Sequence, residues 1–195
     1  MKILVSPSVI LMGSVFLLSG NIEKALIPVL AAVIHEIGHL TFAFLFSIPI
    51  NRIELNLFGA IIETPPLACS YKQEVIFAAA GPLANLISAA TVGCTVFYFP
   101  SIKNNSTILF IAASLIFACI NLLPASSFDG GRILKCILLL KFSPNAAISI
   151  LEWLSLLCIF ILWSISVYFI VRTGSYLSLF VFSGALFSKI FLFKA

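Results

Sequence analysis

Two imidazoles four residues apart, with a carboxylate beside the first, stand in the stretch AAVIHEIGHLTFAF as His35, Glu36 and His39. On a helix, positions i and i+4 share a face, so both imidazoles can aim a nitrogen at one ion, while Glu36 lies about 100° round and reaches the same rim. In such an arrangement a zinc ion lowers the pKa of bound water, and the glutamate takes the proton as the water attacks a carbonyl. Both histidines of the chain are spent here. With two histidines and seven acids in 195 residues, chance yields this pattern on the order of a few times in ten thousand.

Two histidines do not complete a site, because catalytic zinc takes three protein ligands and keeps the fourth position for water. The five cysteines, Cys69, Cys94, Cys119, Cys136 and Cys158, show neither CxxC spacing nor a pairing pattern and read as small buried hydrophobes. The third ligand is therefore an acid. Glu23, Glu54, Glu63 and Glu74 fall in loops or at the edges of apolar runs, which leaves Asp129 and Glu152. Asp129 sits in NLLPASSFDGGRI, residues 121–133, where Pro124 breaks a helix and Gly130 and Gly131 permit turns. Irregular backbone at membrane depth is tolerated where it lines a cavity or is buried in protein, which suits a ligand carboxylate. The competing reading is a helix-stop residue paired with Arg132. Glu152, about two turns into its run, reads as an interfacial group reaching headgroups or Lys141 in preference to a gating residue.

The elements that must position these groups are membrane spans. The chain is 62% hydrophobic and 9% charged, with mean hydropathy +1.20, against about 45–50% and about 25% in soluble domains. A bilayer core of about 30 Å takes roughly 20 helical residues to cross. Six apolar runs approach that length: Val5 to Leu18, Ala25 to Phe46, Glu74 to Phe99, Thr107 to Leu123, Ala146 to Val171 and Tyr176 to Phe193. The first follows one lysine without a small-residue cleavage pattern, so it reads as a retained helix. If the spans alternate, eight basic residues (Lys2, Arg52, Lys72, Arg132, Lys135, Lys141, Lys189 and Lys194) face one side and three (Lys24, Lys103 and Arg172) the other. That asymmetry puts both termini in the cytoplasm. It also brings the His35–His39 stretch and Asp129 to the cytoplasmic half of the membrane.

Between the second and third spans, NRIELNLFGAIIE at residues 51–63 is too short to cross as a helix. Its alternating Ile53, Leu55 and Leu57 read either as a hairpin whose free edge can pair with an unfolded substrate segment or as an interfacial loop. Phe58 and Gly59 in that segment are candidates for contacting substrate. Asn85 and Asn121 are candidates for orienting a ligand or holding a substrate backbone, or alternatively for hydrogen bonds between helices. SPNAAISILEW at 143–153 reads as a capped helix start with Pro144 in its first turn.

With HEIGH at 35–39, the NxxPxxxxDG pattern carried by Asn121, Pro124, Asp129 and Gly130, and GPLAN at 81–85 as a weaker match, the chain resembles the site-2 protease family of intramembrane zinc metalloproteases. The motifs occur in the family's order across residues 35–130. The resemblance implies that His35, His39 and Asp129 bind one zinc per chain, that Glu36 is the catalytic base, and that a hairpin lies between spans two and three. The compact plan is most similar to the bacterial sporulation-type branch, which implies a bacterial cytoplasmic membrane. The expectation is an all-α integral membrane protein of about six transmembrane helices with a short membrane-associated hairpin. Residues 1–195 are expected to form a single metalloprotease domain without an appended nucleotide-binding or peptide-binding domain, regulated if at all by a membrane partner.

The reaction expected is hydrolysis of a peptide bond in or near a transmembrane segment of a membrane-protein substrate. The alternative from another class is a divalent-metal transporter using the same His and Asp ligands, although the outer halves of the spans offer few polar groups for a path. A silent scaffold would have no need of Glu36. Nucleic acid is excluded as a partner, because the net charge of +4 is spread over loops.

Overall fold

The computed structural model describes residues 2–5, 22–56, 59–63, 70–173, 183, 184 and 186. Among these residues three strands, β1 (Lys2–Val5), β2 (Arg52–Asn56) and β3 (Gly59–Glu63), accompany five long α-helices: α1 (Ile22–Leu45), α2 (Tyr71–Tyr98), α3 (Asn105–Asn121), α4 (Asp129–Leu139) and α5 (Pro144–Thr173). Two compact units result, Met1–Asn121 and Leu122–Ala195.

Among the described residues three helices are long and apolar enough to cross a membrane: Leu26–Leu45 of α1, Tyr71–Tyr98 and Pro144–Arg172 of α5; α3 is a shorter apolar helix. The second, third and fifth runs of the sequence thus appear as helices. Of the first run only Val5 is described, and it ends a strand; the rest lies outside the described residues. Of the sixth, residues 183, 184 and 186 are described, in helical conformation.

In the first unit α1, α2 and α3 pack on one another. Lipid tails are as apolar as leucine, so helix association depends on close packing, and small residues carry it. Ala31 and Ala43 of α1, Ala78, Gly81 and Ala89 of α2, and Ser114 and Ala118 of α3 are all buried. Gly38 lets α1 approach α2 closely, since a Cβ there would lie 2.5 Å from the Ala80 carbonyl oxygen.

Local chemistry sets the helix ends. α1 closes in a Schellman motif: Ile48 N–H donates to the Ala43 carbonyl (2.8 Å) and Ser47 N–H to that of Phe44 (3.2 Å). Ser47 takes the left-handed position with φ of 50°. Ile48 then packs with Phe42, Ala43 and Phe77. α2 opens with a capping box: Ser70 Oγ accepts from Gln73 N–H (3.3 Å) while Gln73 Oε1 accepts from Ser70 N–H (2.9 Å). Before α3, Asn104 Oδ1 accepts from Thr107 N–H at 2.8 Å.

Residues 51–63 do form a hairpin, β2 antiparallel to β3 with Arg52 opposite Glu63 and Asn56 opposite Gly59. Phe58 lies outside the described residues. β1 pairs parallel to β2, Lys2 with Arg52, giving the order β1-β2-β3. Among the described residues β2 is therefore central, and the hairpin's outer edge belongs to β3, which also touches α1.

In the second unit, residues 122–128 are irregular and Asp129 begins α4. The sequence expectation of turns at Gly130 and Gly131 is corrected here: both are buried in the first turn of a helix. Packing explains them, because a Cβ on Gly130 would strike the Leu122 carbonyl oxygen and one on Gly131 that of Ala125. The loop is tied to α5 by Ser126 N–H donating to Ser155 Oγ at 2.9 Å, and Leu138 of α4 packs with Ala147 and Leu151 of α5. α5 begins at Pro144, as its sequence start signal requires. Its large outward residues, Trp153 and Val171 among them, are exposed, as a lipid-facing surface requires.

Candidate metal centre

The first unit holds His35 and His39 one helical turn apart on the inward face of α1, both buried, at 3% and 4% exposure. Their Nε2 atoms converge to 3.2 Å, with ring centroids 4.9 Å apart and planes near perpendicular at 80°. Two nitrogens on one point inside a helix bundle are what a shared cation requires.

The opposite edge of His39 is anchored. Its Nδ1 lies 2.8 Å from the Phe77 carbonyl oxygen of α2, and a carbonyl can only accept. Nδ1 therefore carries the hydrogen and Nε2 the lone pair, the outer hydrogen bond that ligating histidines make. Phe77 is buried, and its ring lies 5.2 Å from that of His39. Five residues on, Pro82 lacks an N–H, so α2 has an interrupted ladder in the stretch facing the imidazoles. The ring of His35 meets Phe117 of α3 edge-on at 6.0 Å.

Gly81 explains why α2 can come so close. A Cβ at that position would strike His39 Nε2 and would lie 2.7 Å from His35 Nε2. One turn later Asn85, fully buried, places Nδ2 3.5 Å from His35 Nδ1. GPLAN thus gathers a glycine against the two Nε2 atoms and an amide behind one of the rings. Glu36 follows on α1, half-buried with one carboxylate oxygen buried.

The other sequence candidates stand as follows. Asn121 closes α3, and its Nδ2 donates to the Phe117 carbonyl of its own helix at 3.1 Å. Gly59 opens β3 opposite Asn56. Asp129 belongs to the second unit, buried at the first residue of α4, where the positive end of the helix dipole favours an anion. Glu152 is half-buried on α5. Among the described residues Cys136 is buried and Cys158 half-buried, whereas Cys94 and Cys119 are exposed, which corrects for these two the expectation of small buried hydrophobes: they lie on the outward faces of their helices. Sequence reasoning missed the Phe77 carbonyl and the steric role of Gly81. A backbone acceptor leaves no trace in residue types, but a glycine-proline pair inside an apolar helix was a visible signal for the second.

The donor set suits zinc: neutral imidazole is a strong ligand for it, and one of the two already has its outer nitrogen fixed. Carbonyl and ring positions leave the Nε2 pair facing the space that Gly81 keeps clear.

No protein-family model matches the chain. It is 33% identical over 141 residues, 69% of its length, to stage IV sporulation protein FB of Bacillus subtilis. It is 27% identical over 109 residues, 53% of its length, to the putative zinc metalloprotease Rip3 of Mycobacterium tuberculosis. The chain spans about half of the first relative (46%) and 28% of the second. Among solved structures it is similar to the site-2 protease from Methanocaldococcus jannaschii, with a TM-score of 0.69 at 21% identity, covering 97% of this chain and 89% of that one. That likeness is one of fold.

Proposed function

Because the chain belongs to the site-2 protease family, on its sporulation-type branch, we propose that it is an intramembrane zinc metalloprotease that hydrolyses a peptide bond in or near a transmembrane segment of a membrane-protein substrate. The observation that carries this reading is the pair of buried imidazoles with Nε2 atoms 3.2 Å apart, next to Glu36 on the same helix. In this reading His35 and His39 would hold the zinc together with Asp129 of the NxxPxxxxDG pattern, the number of protein ligands that a catalytic zinc takes. Bound zinc supplies Lewis acidity that activates water and polarises the scissile carbonyl.

The chain's own residues do the rest. Glu36 accepts a proton from the attacking water and returns it to the leaving amine, a role that calls for a carboxylate beside the ligands but not among them. Phe77 fixes His39 by its carbonyl, and the packed helices keep bulk water from the imidazoles. A helical substrate hides its carbonyls in its own hydrogen bonds, so the segment to be cut must unwind first. The outer edge of β3, on a hairpin whose other edge is taken by β1, offers an unwound segment a strand to pair with. Phe58 and Gly59, the latter the first residue of β3, contact substrate in this reading, as does Asn121 at the end of α3. Six spans, cytoplasmic termini and a site toward the cytoplasmic half of a bacterial membrane complete the reading, supported by the apolar runs and the distribution of Lys and Arg.

The test is cleavage of a co-expressed, tagged membrane substrate by wild type and by Glu36→Gln, with zinc quantified in both purified proteins. Cleavage should fall by about 10²–10⁴ with near-stoichiometric zinc retained. Equal cutting by Glu36→Gln, or a wild type without metal, ends the protease reading and makes metal transport the next one to test.

A further inference from the structure

Resting on that reading, we infer that Asn85 is a positioning residue for the metal centre: its carboxamide oxygen takes the hydrogen of His35 Nδ1 and thereby directs the lone pair of Nε2 at the zinc. A neutral imidazole carries one hydrogen, and a ring that ligates through Nε2 must carry it on Nδ1. That N–H needs an acceptor, because a buried unpaired donor costs about 1–3 kcal/mol. His39 has the Phe77 carbonyl for this purpose, at 2.8 Å. At His35 the Asn85 amide lies against Nδ1, with its Nδ2 3.5 Å away.

The amide holds the acceptor that this role demands. Asn85 is fully buried, and its Oδ1 has no hydrogen-bond partner among the described residues. An orphaned carbonyl oxygen inside an apolar bundle is costly, and a half-turn about Cβ–Cγ exchanges the two ends of the amide with almost no change in shape. That rotation gives Oδ1 a donor and His35 Nδ1 an acceptor in one step. The two imidazoles are then oriented alike, one by a backbone carbonyl and one by a side-chain carbonyl, both borne by α2. The spacing belongs to the same design: Gly81 clears room at the Nε2 atoms, and Asn85, one turn on, serves the far side of His35.

The experiment uses the full chain in detergent micelles with zinc as the probe, its affinity read by competition with a chromogenic chelator. Wild type must take up zinc and His39→Ala must lose it; failure of either overturns the metal reading itself, and this inference with it. Given those two results, Asn85→Leu, which keeps volume and removes the acceptor, should bind zinc about 10- to 100-fold more weakly. Asn85→Asp keeps an acceptor at the same place and should bind within about threefold of wild type or more tightly, by the same outer-ligand logic. Zinc affinity unchanged in Asn85→Leu, or lost equally in Asn85→Asp, overturns the inference. If Asn85→Leu does not fold, Asn85→Ala against Asn85→Asp carries the same contrast. An independent readout comes from the chain's having two histidines: with 15N-histidine labelling, the zinc-loaded wild type should show hydrogen on Nδ1 of both rings. A hydrogen on Nε2 of His35 would refute the assignment.

Discussion

At the scale of single residues, the centre is defined as much by what is missing as by what is present. Gly81 lies against both Nε2 atoms, and the room that a methyl group would need is the room that the two imidazoles face. Gly81→Ala is therefore expected to cut zinc content at least tenfold by displacing His35 or His39, while helical content by circular dichroism stays at the wild-type level. Gly93 of the same helix is the control, since a Cβ there would meet nothing within 4 Å. Gly93→Ala should leave zinc and cleavage unchanged and raise stability by up to about 1 kcal/mol, the difference in helix propensity. Equal loss of zinc in both variants would mean that α2 tolerates no added bulk anywhere, and the steric account of Gly81 would fail.

At the scale of elements, helix ends and strand edges carry the argument. Ser47 occupies the left-handed position of a Schellman motif, which glycine fills without steric penalty. Ser47→Gly should raise the melting temperature in detergent, corresponding to a gain of about 1 kcal/mol, because native φ is kept and strain is removed. A loss of stability would show that the serine side chain has a structural role. In the hairpin, residues on an edge strand alternately face the neighbour and the outside. Of Ile61→Pro and Ile62→Pro, one removes a ladder bond to β2 and the other only an outward donor. The outward one should lower cleavage about three- to tenfold, the worth of one hydrogen bond, with zinc unchanged; if neither affects cleavage, β3 is not the docking edge. How far such elements can be read from residues alone varies. HEIGH, NxxPxxxxDG and the long apolar runs were legible because their spacing follows the helix period and the bilayer thickness. The pairing of β1 with β2 was not, since the three apolar residues that follow Lys2 merge with the run beyond them and 46 residues separate Val5 from Arg52, the start of β2. Asp129 was legible as a ligand candidate but not as a helix start, because two glycines normally argue against helix, and only packing on Leu122 and Ala125 shows why they are there.

At the scale of the whole molecule, the question is whether metal holds the fold or the fold holds the metal. Small zinc domains unfold without their ion because the ligands are most of the core. Here the long helices satisfy their own backbone groups, as a lipid environment demands, and pack through Ala31, Ala43, Ala78 and Ala118, none of them a ligand. Removing zinc with a membrane-permeant chelator should therefore abolish cleavage and leave the far-ultraviolet circular dichroism unchanged at 25 °C. Stability should still fall, since a ligand bound only by the folded state contributes RT ln(1 + [L]/Kd), about 4 kcal/mol at a thousandfold excess over Kd. The melting temperature in detergent is expected to drop and to be restored, with activity, by stoichiometric zinc. The same treatment of His39→Ala should produce no shift, because that variant has no site to empty. Collapse of helical content on chelation would reverse the order of cause: zinc would then organise α1 against α2, and the hydrogen bond from His39 to Phe77 would be a consequence of metal binding instead of its preparation.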